Sequence, residues 1–158
     1  MERQRSMITI GDILSPKHIL LDLESRTRGA AIAKVAELLE SDSRVKDWER
    51  FDAGLLPGSS CMANDSGSGI CIAHVRTNAV SAMIMAVGRS VEGIPVEDGT
   101  RVRLVFVIGV PVALASDYLR IIGALARIFR TAKGEAALLD AQIPEEFLET
   151  LCTLEMEM

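Results

Sequence analysis

Two nearly uninterrupted apolar runs, AVSAMIMAV at 79–87 and RVRLVFVIGV at 101–110, constrain this chain more than any other feature. Neither shows the polar alternation of a half-exposed strand, both are short for helices, and the second is rich in β-branched residues. They therefore read as central strands covered on both faces. Between them, VEGIPVEDGT carries Asp98-Gly99, a turn signal for a hairpin leading into the second strand.

A sheet covered on both faces needs helices on both, and the rest of the sequence supplies them. With Thr27 as N-cap, RGAAIAKVAELLES puts Ile32, Val35, Ala36 and Leu39 on one helical face. A short helix is predicted through VKDWERFDAGLL, with Trp48 and Phe51 inward and Pro57-Gly58 as its end. SDYLRIIGALARIFR forms another, starting at Ser116 or Asp117. Its expected core face is Leu119, Ile122, Leu125, Ala126 and Phe129, with Gly123 at a close contact. GEAALLDA and PEEFLETLC are two further helices, Pro144 sitting in the first turn of the second, and LEMEM reads as a frayed end. The expected class is α/β: a single-domain sandwich over 1–158, core about 7–153, with a mixed, mostly buried β-sheet flanked by helices. At 158 residues the chain holds one well-filled core and is short for two ordinary domains.

Charge and cysteine content narrow the function. The formal net charge of −5, with both signs mixed along the chain, provides no basic field for a phosphate backbone, so nucleic acid is not an expected partner. Three cysteines, Cys61, Cys71 and Cys152, form an odd set without a C-x-x-C pair. This argues against a disulfide framework and a thiolate metal site, and in favour of a reduced cytoplasm. Cys71, between two isoleucines, reads as a small core residue, and Met62, Met83 and Met85 read as core packing. No apolar window is long enough for a membrane span, and the N-terminus has no export signal, so a soluble protein without membrane insertion is expected.

Candidate chemistry centres on histidine, of which there are two. His18, in SPKHILLDL, has nothing nearby in sequence to orient it and reads as an exposed loop residue. His74 closes the run GICIAH, with Arg76 two residues on. The Gly- and Ser-rich stretch 58–69 before it reads as a loop delivering a short apolar strand, whose carboxyl end is where α/β folds place ligand sites. The glycines of GSG at 67–69 precede a strand, so they do not match a dinucleotide fingerprint.

The order GSGICIAHVR, two buried strands, EDGTRVRLVFVIGVP, SDYLRIIGALARIFR and a terminal helical pair resembles the type-2 enzyme IIA domains of the bacterial sugar phosphotransferase system. This is the fructose, mannitol and nitrogen-regulatory group, and the likeness covers roughly residues 7–153. The resemblance implies a phosphotransferase component without cofactors. His74, at the end of the family's G-x-G-x-A-I-P-H pattern, would take a phosphoryl group from a histidine phosphocarrier protein. It would pass it to the cysteine of a IIB-type domain or to a regulatory target. Ser66, Gly67, Ser68 and Gly69, Arg76 and Tyr118, together with the N-terminus of the helix near Ser116, are the candidates for holding the phosphoryl oxygens. Arg76 reads equally as a surface charge.

Four positions depart from the pattern. Ala73 replaces the proline before the histidine, Ala63-Asn64-Asp65 replaces the Ser-Thr-Gly stretch, Tyr118 replaces a second histidine, and an upstream arginine falls near Gly58. Asp65 adds negative charge beside the loop, and Tyr118 donates one hydrogen bond but carries no positive charge. A second reading thus stands beside the carrier: a degenerate IIA-like module that binds and regulates without taking phosphate.

Overall fold

A computed structural model describes residues 7–64 and 66–157; the charge expected from Asp65 lies outside them. Five strands form one mixed sheet in the order β1-β4-β5-β3-β2: β1 Ile19–Leu20, β2 Ser59–Ala63, β3 Ser68–Arg76, β4 Ile84–Pro95 and β5 Arg101–Val110. β4 and β5 form the expected antiparallel hairpin, with Gly99 at φ +87° in its turn, while β3 runs parallel to β5. Six helices cover the sheet: α1 Ile10–Ile13, α2 Arg28–Ala36, α3 Trp48–Leu55, α4 Ala115–Ile128, α5 Ala132–Leu139 and α6 Pro144–Met156. Ile70, Ile72, Met85, Phe106 and Ile108 pack toward α4 and α6. Cys71, Ala73, Ala86, Val105 and Val107 pack toward α2 and α3. This two-sided burial is what the missing alternation in the two apolar runs requires. Among the described residues no helix is long and apolar enough to cross a membrane.

Local chemistry explains the helix boundaries. The Thr27 side chain accepts the Ala30 N–H at 3.1 Å, as an N-cap should, and Asp47 does the same for the Arg50 N–H at 3.2 Å. Phe51 is fully buried and Trp48 partly so.

Several expectations are corrected. The 58–69 stretch is mostly strand, β2 from Ser59 to Ala63 and the start of β3 from Ser68, and the chain reverses between them, with Gly67 at φ +81°. In AVSAMIMAV the strand starts at Ile84, because Val80 instead bridges to Val45 and the Ala79 carbonyl accepts from Lys46 and Asp47. α4 starts at Ala115 and turns Ile121, Ala124, Leu125 and Ile128 inward, leaving Leu119 65% exposed, while Gly123 faces only the flexible end of Arg127. Neither Ser116 nor Asp117 caps it: Leu114 occupies the N-cap, and Asp117 pairs with Arg120 at 2.6 Å. The LEMEM tail continues α6 to Met156, tied down by the Glu155 carboxylate, which accepts the Ile10 N–H at 3.1 Å.

The cysteines differ from expectation too. Cys61 and Cys71 are register partners in the antiparallel β2–β3 pair, with Cα atoms 4.0 Å apart, and they form a disulfide. An odd cysteine count did not exclude this, because it leaves Cys152 as the free thiol.

His18 is likewise not an exposed loop residue. It is 4% exposed, with Nδ1 3.3 Å from the Ser15 hydroxyl and Nε2 3.5 Å from Asp42. Arg44 grips the Asp42 carboxylate through Nε at 2.9 Å and Nη2 at 2.8 Å, which holds it well below the usual carboxylate range. Burial lowers the His18 pKa below the ordinary 6.5, with Asp42 opposing and Lys17 and Arg44 adding to the shift. Between the lowered folded value and 6.5 the unfolded chain binds the extra proton, so stability falls as pH drops through that window. Denaturant midpoints measured from about pH 7 down to about pH 5 should therefore decline, and His18→Gln should flatten the decline. An unchanged slope in His18→Gln would contradict the assignment.

Candidate functional site

His74 lies near the carboxyl end of β3, opposite Ile108 of β5. Side chains alternate along a strand, so Ile70, Ile72, His74 and Arg76 share the face that looks toward α4. β5 runs parallel to β3 and ends at the same edge; a single turn at Val112–Leu114 then leads into α4. That topology brings Tyr118, on the first turn of α4, over the imidazole. The two rings stack with centroids 4.6 Å apart and planes 24° from parallel. Both residues are half-buried.

The other wall is the turn between α3 and β2. The Gly58 carbonyl accepts the His74 backbone N–H at 3.2 Å. A Cβ at Gly58 would come within 2.2 Å of the His74 carbonyl oxygen, so only glycine lets these backbones approach. Burial lowers the His74 pKa below 6.5, and a hydrogen bond to the Gly58 carbonyl acts the other way. The ring is therefore neutral near neutral pH. Burial also pushes the Tyr118 phenol up to about 12, so it stays a neutral hydroxyl.

The remaining sequence candidates divide between two ends of β3. Arg76 is exposed, lies on the same face as His74, and forms no ion pair among the described residues. Ser66, Gly67, Ser68 and Gly69 lie at the opposite end, since six residues of strand separate Ser68 from His74, about 20 Å. Ser68 and Asn64 there donate to the buried Glu135 carboxylate, the latter at 2.7 Å, and Arg103 lies 3.7 Å from it. The amides expected from the 66–69 loop therefore do not reach the imidazole. The N-terminus of the helix near Ser116, expected beside the same group, does lie at the His74 end, and its N-cap Leu114 makes no side-chain capping bond. The sequence reading missed the Gly58 carbonyl that accepts the His74 backbone N–H; its signal was a glycine before a strand-like segment.

Fold and site together define an α/β domain that presents one imidazole between a glycine turn and a helix N-terminus at the edge of a mixed sheet. The chain belongs to the family described as phosphoenolpyruvate-dependent sugar phosphotransferase system, EIIA 2, whose model matches residues 12–153. It is 32% identical over 135 residues to the fructose-specific EIIA component of Haloferax volcanii, covering 84% of this chain and 88% of that protein. It is also 24% identical over 144 residues to the fructose-specific EIIABC component of Bacillus subtilis, covering 90% of this chain but spanning only 23% of that relative's length. Among solved structures it resembles the nitrogen regulatory protein IIA-Ntr of Neisseria meningitidis, with TM-score 0.76, 26% identity, and coverage of 90% of this chain and 98% of that one. The fold also matches a complex of enzyme IIAMTL with phosphorylated enzyme IIBMTL from Escherichia coli, with TM-score 0.70, 18% identity, and coverage of 89% of this chain and 97% of that one.

Proposed function

We propose that this chain is a phosphoryl carrier, accepting the group on His74 from a histidine phosphocarrier protein and passing it to the cysteine of a IIB-type domain or to a regulatory target. The supporting observation is the half-buried His74 ring, stacked on Tyr118 beside the uncapped N-terminus of α4, on a backbone whose N–H bonds the Gly58 carbonyl. A neutral imidazole has the lone pair that attack on phosphorus needs. A new N–P bond forms on one ring nitrogen of His74 as the donor's N–P bond breaks, and the proton on the other ring nitrogen stays in place. Helix amides and Arg76 are suited to the peripheral oxygens, where charge accumulates. The fructose-specific names of both relatives favour sugar uptake over a regulatory branch.

Tyr118 favours the second reading, a binding module without phosphotransfer, because a neutral phenol stands where the family has a second imidazole. Rapid-quench labelling by the phosphocarrier separates the two. If Tyr118 is the weak donor, Tyr118→His raises the transfer rate on the order of a hundredfold, and Tyr118→Phe, which keeps the stack, lowers it. Absence of labelling in wild type and Tyr118→His alike favours the binding module.

A further inference from the structure

Cys61 and Cys71 stand in the hairpin that carries His74, and neither has a role in the reading above. The His74 N–H bonds the Gly58 carbonyl and the Asn64 N–H bonds the Ser68 carbonyl at 2.8 Å. With pairs alternating along an antiparallel ladder, this makes Cys61 and Cys71 a non-hydrogen-bonded pair, the kind that brings side chains closest. Their sulfurs meet with the backbone already in register. β2 is an edge strand, and Cys61 on it is half-buried, while Cys71 is 1% exposed in the core. One sulfur is thus reachable from solvent and the other is held behind it, an arrangement of attacking and resolving thiols.

We propose that Cys61 and Cys71 are a reversible redox modification site, exchanging with a low-molecular-weight disulfide, and that their state sets how firmly Gly58 is held against His74. In oxidation the Cys61 thiolate attacks the external disulfide and expels one small thiol, leaving a mixed disulfide on Cys61. Cys71 then gives up its proton, attacks the Cys61 sulfur and expels the second small thiol. Two electrons and two protons end on the small molecule, and one protein S–S bond replaces two thiols. In reduction an external thiolate attacks the Cys61 sulfur, and Cys71 leaves and is reprotonated; a second external thiolate then attacks the small-molecule sulfur of the mixed disulfide, Cys61 leaves and is reprotonated, and the small disulfide carries away the oxidising equivalents.

The link to His74 is positional and rests on the carrier reading only for its consequence. The bond lies on the face opposite the imidazole, so it does not touch the ring. It is three residues from Gly58 along β2 and three from His74 along β3. β2 pairs with β3 alone. Opening the cross-link lets this edge fray from β3, and the first contact to loosen at the site is the Gly58 carbonyl with the His74 N–H. Cys152, on α6 with a thiol whose pKa is raised by burial, is outside the pair and serves as an internal control.

The test equilibrates the full chain in glutathione buffers from fully reduced to strongly oxidised, followed by acid quench, alkylation in denaturant and intact mass. The expected result is reversible loss of two alkylatable thiols in wild type, with Cys152 still labelled, and no such loss in Cys61→Ser. Amide exchange at His74, followed by NMR, should be at least about tenfold slower in the oxidised protein than in the reduced protein or Cys61→Ser. Three reactive thiols at every buffer ratio would overturn the redox site, and equal exchange rates in both states would overturn its link to His74. Neither readout requires phosphate. If thiol loss and exchange behave as stated but no state is labelled by the phosphocarrier, the carrier reading fails and this one stands.

Discussion

His74→Ala should take up no phosphoryl group under conditions expected to label wild type, yet it should fold. Among the described residues no second imidazole reaches the carboxyl edge of β3 and β5, because the other histidine, His18, is buried against Ser15 and Asp42. Neither Tyr118, whose phenol stays protonated up to about 12, nor Arg76 can substitute as a neutral nitrogen nucleophile. The structural loss is small: half of a half-buried ring and its stack on Tyr118, about 1 kcal/mol. Urea denaturation alongside intact mass checks both halves. Label surviving in His74→Ala would refute the site, and a variant that does not fold would make His74 a structural residue.

Arg89→Met should be strongly destabilising, about 3 kcal/mol. Arg89 is 8% exposed and has no carboxylate partner among the described residues. Its Nη1 donates to the carbonyls of Leu138 at 3.0 Å, Leu139 at 3.2 Å and Ala141 at 2.6 Å, and its Nε to Leu21 at 3.3 Å. One guanidinium thus closes the C-terminal end of α5, where a positive charge is favoured, and ties the chain after β1 to it. Methionine keeps the apolar stem and removes four hydrogen bonds, two of them fully buried; the Leu138 carbonyl keeps the Ala141 N–H at 3.3 Å, while the other three carbonyls lose the guanidinium. Lysine offers a point charge in place of the planar fork and should recover only part of the loss. A urea midpoint for Arg89→Met within error of wild type would show that water replaces these bonds at no cost.

Long-range pairing separates what the sequence disclosed from what it concealed. RVRLVFVIGV announced β5, and Thr27 announced α2, because both signals are local: burial on two faces suppresses alternation, and a hydroxyl before a helix caps it. Cys61 and Cys71 became a pair only once β2 lay antiparallel to β3, which the Gly- and Ser-rich composition of 58–69 disguised as loop. His18 and Arg89 were passed over because their partners, Asp42 and the α5 carbonyls, are distant in sequence. At the site, His74 and its neighbour Tyr118 followed from motif order, and they do stack. The 66–69 stretch, expected beside the imidazole, lies at the other end of β3, because the nine-residue strand from Ser68 to Arg76 is fully extended and spacing in sequence does not convey that span.

The most direct test of a carrier centred on His74 is phosphate uptake by the wild-type chain. The protein is incubated with phosphoenolpyruvate, the first enzyme of the relay and the histidine phosphocarrier, and then examined by intact mass and peptide mapping at alkaline pH. The predicted result is one acid-labile phosphoryl group per chain, on the peptide containing His74 and lost on adding a IIB-type domain. An unlabelled chain, or a label on any other residue, would contradict it.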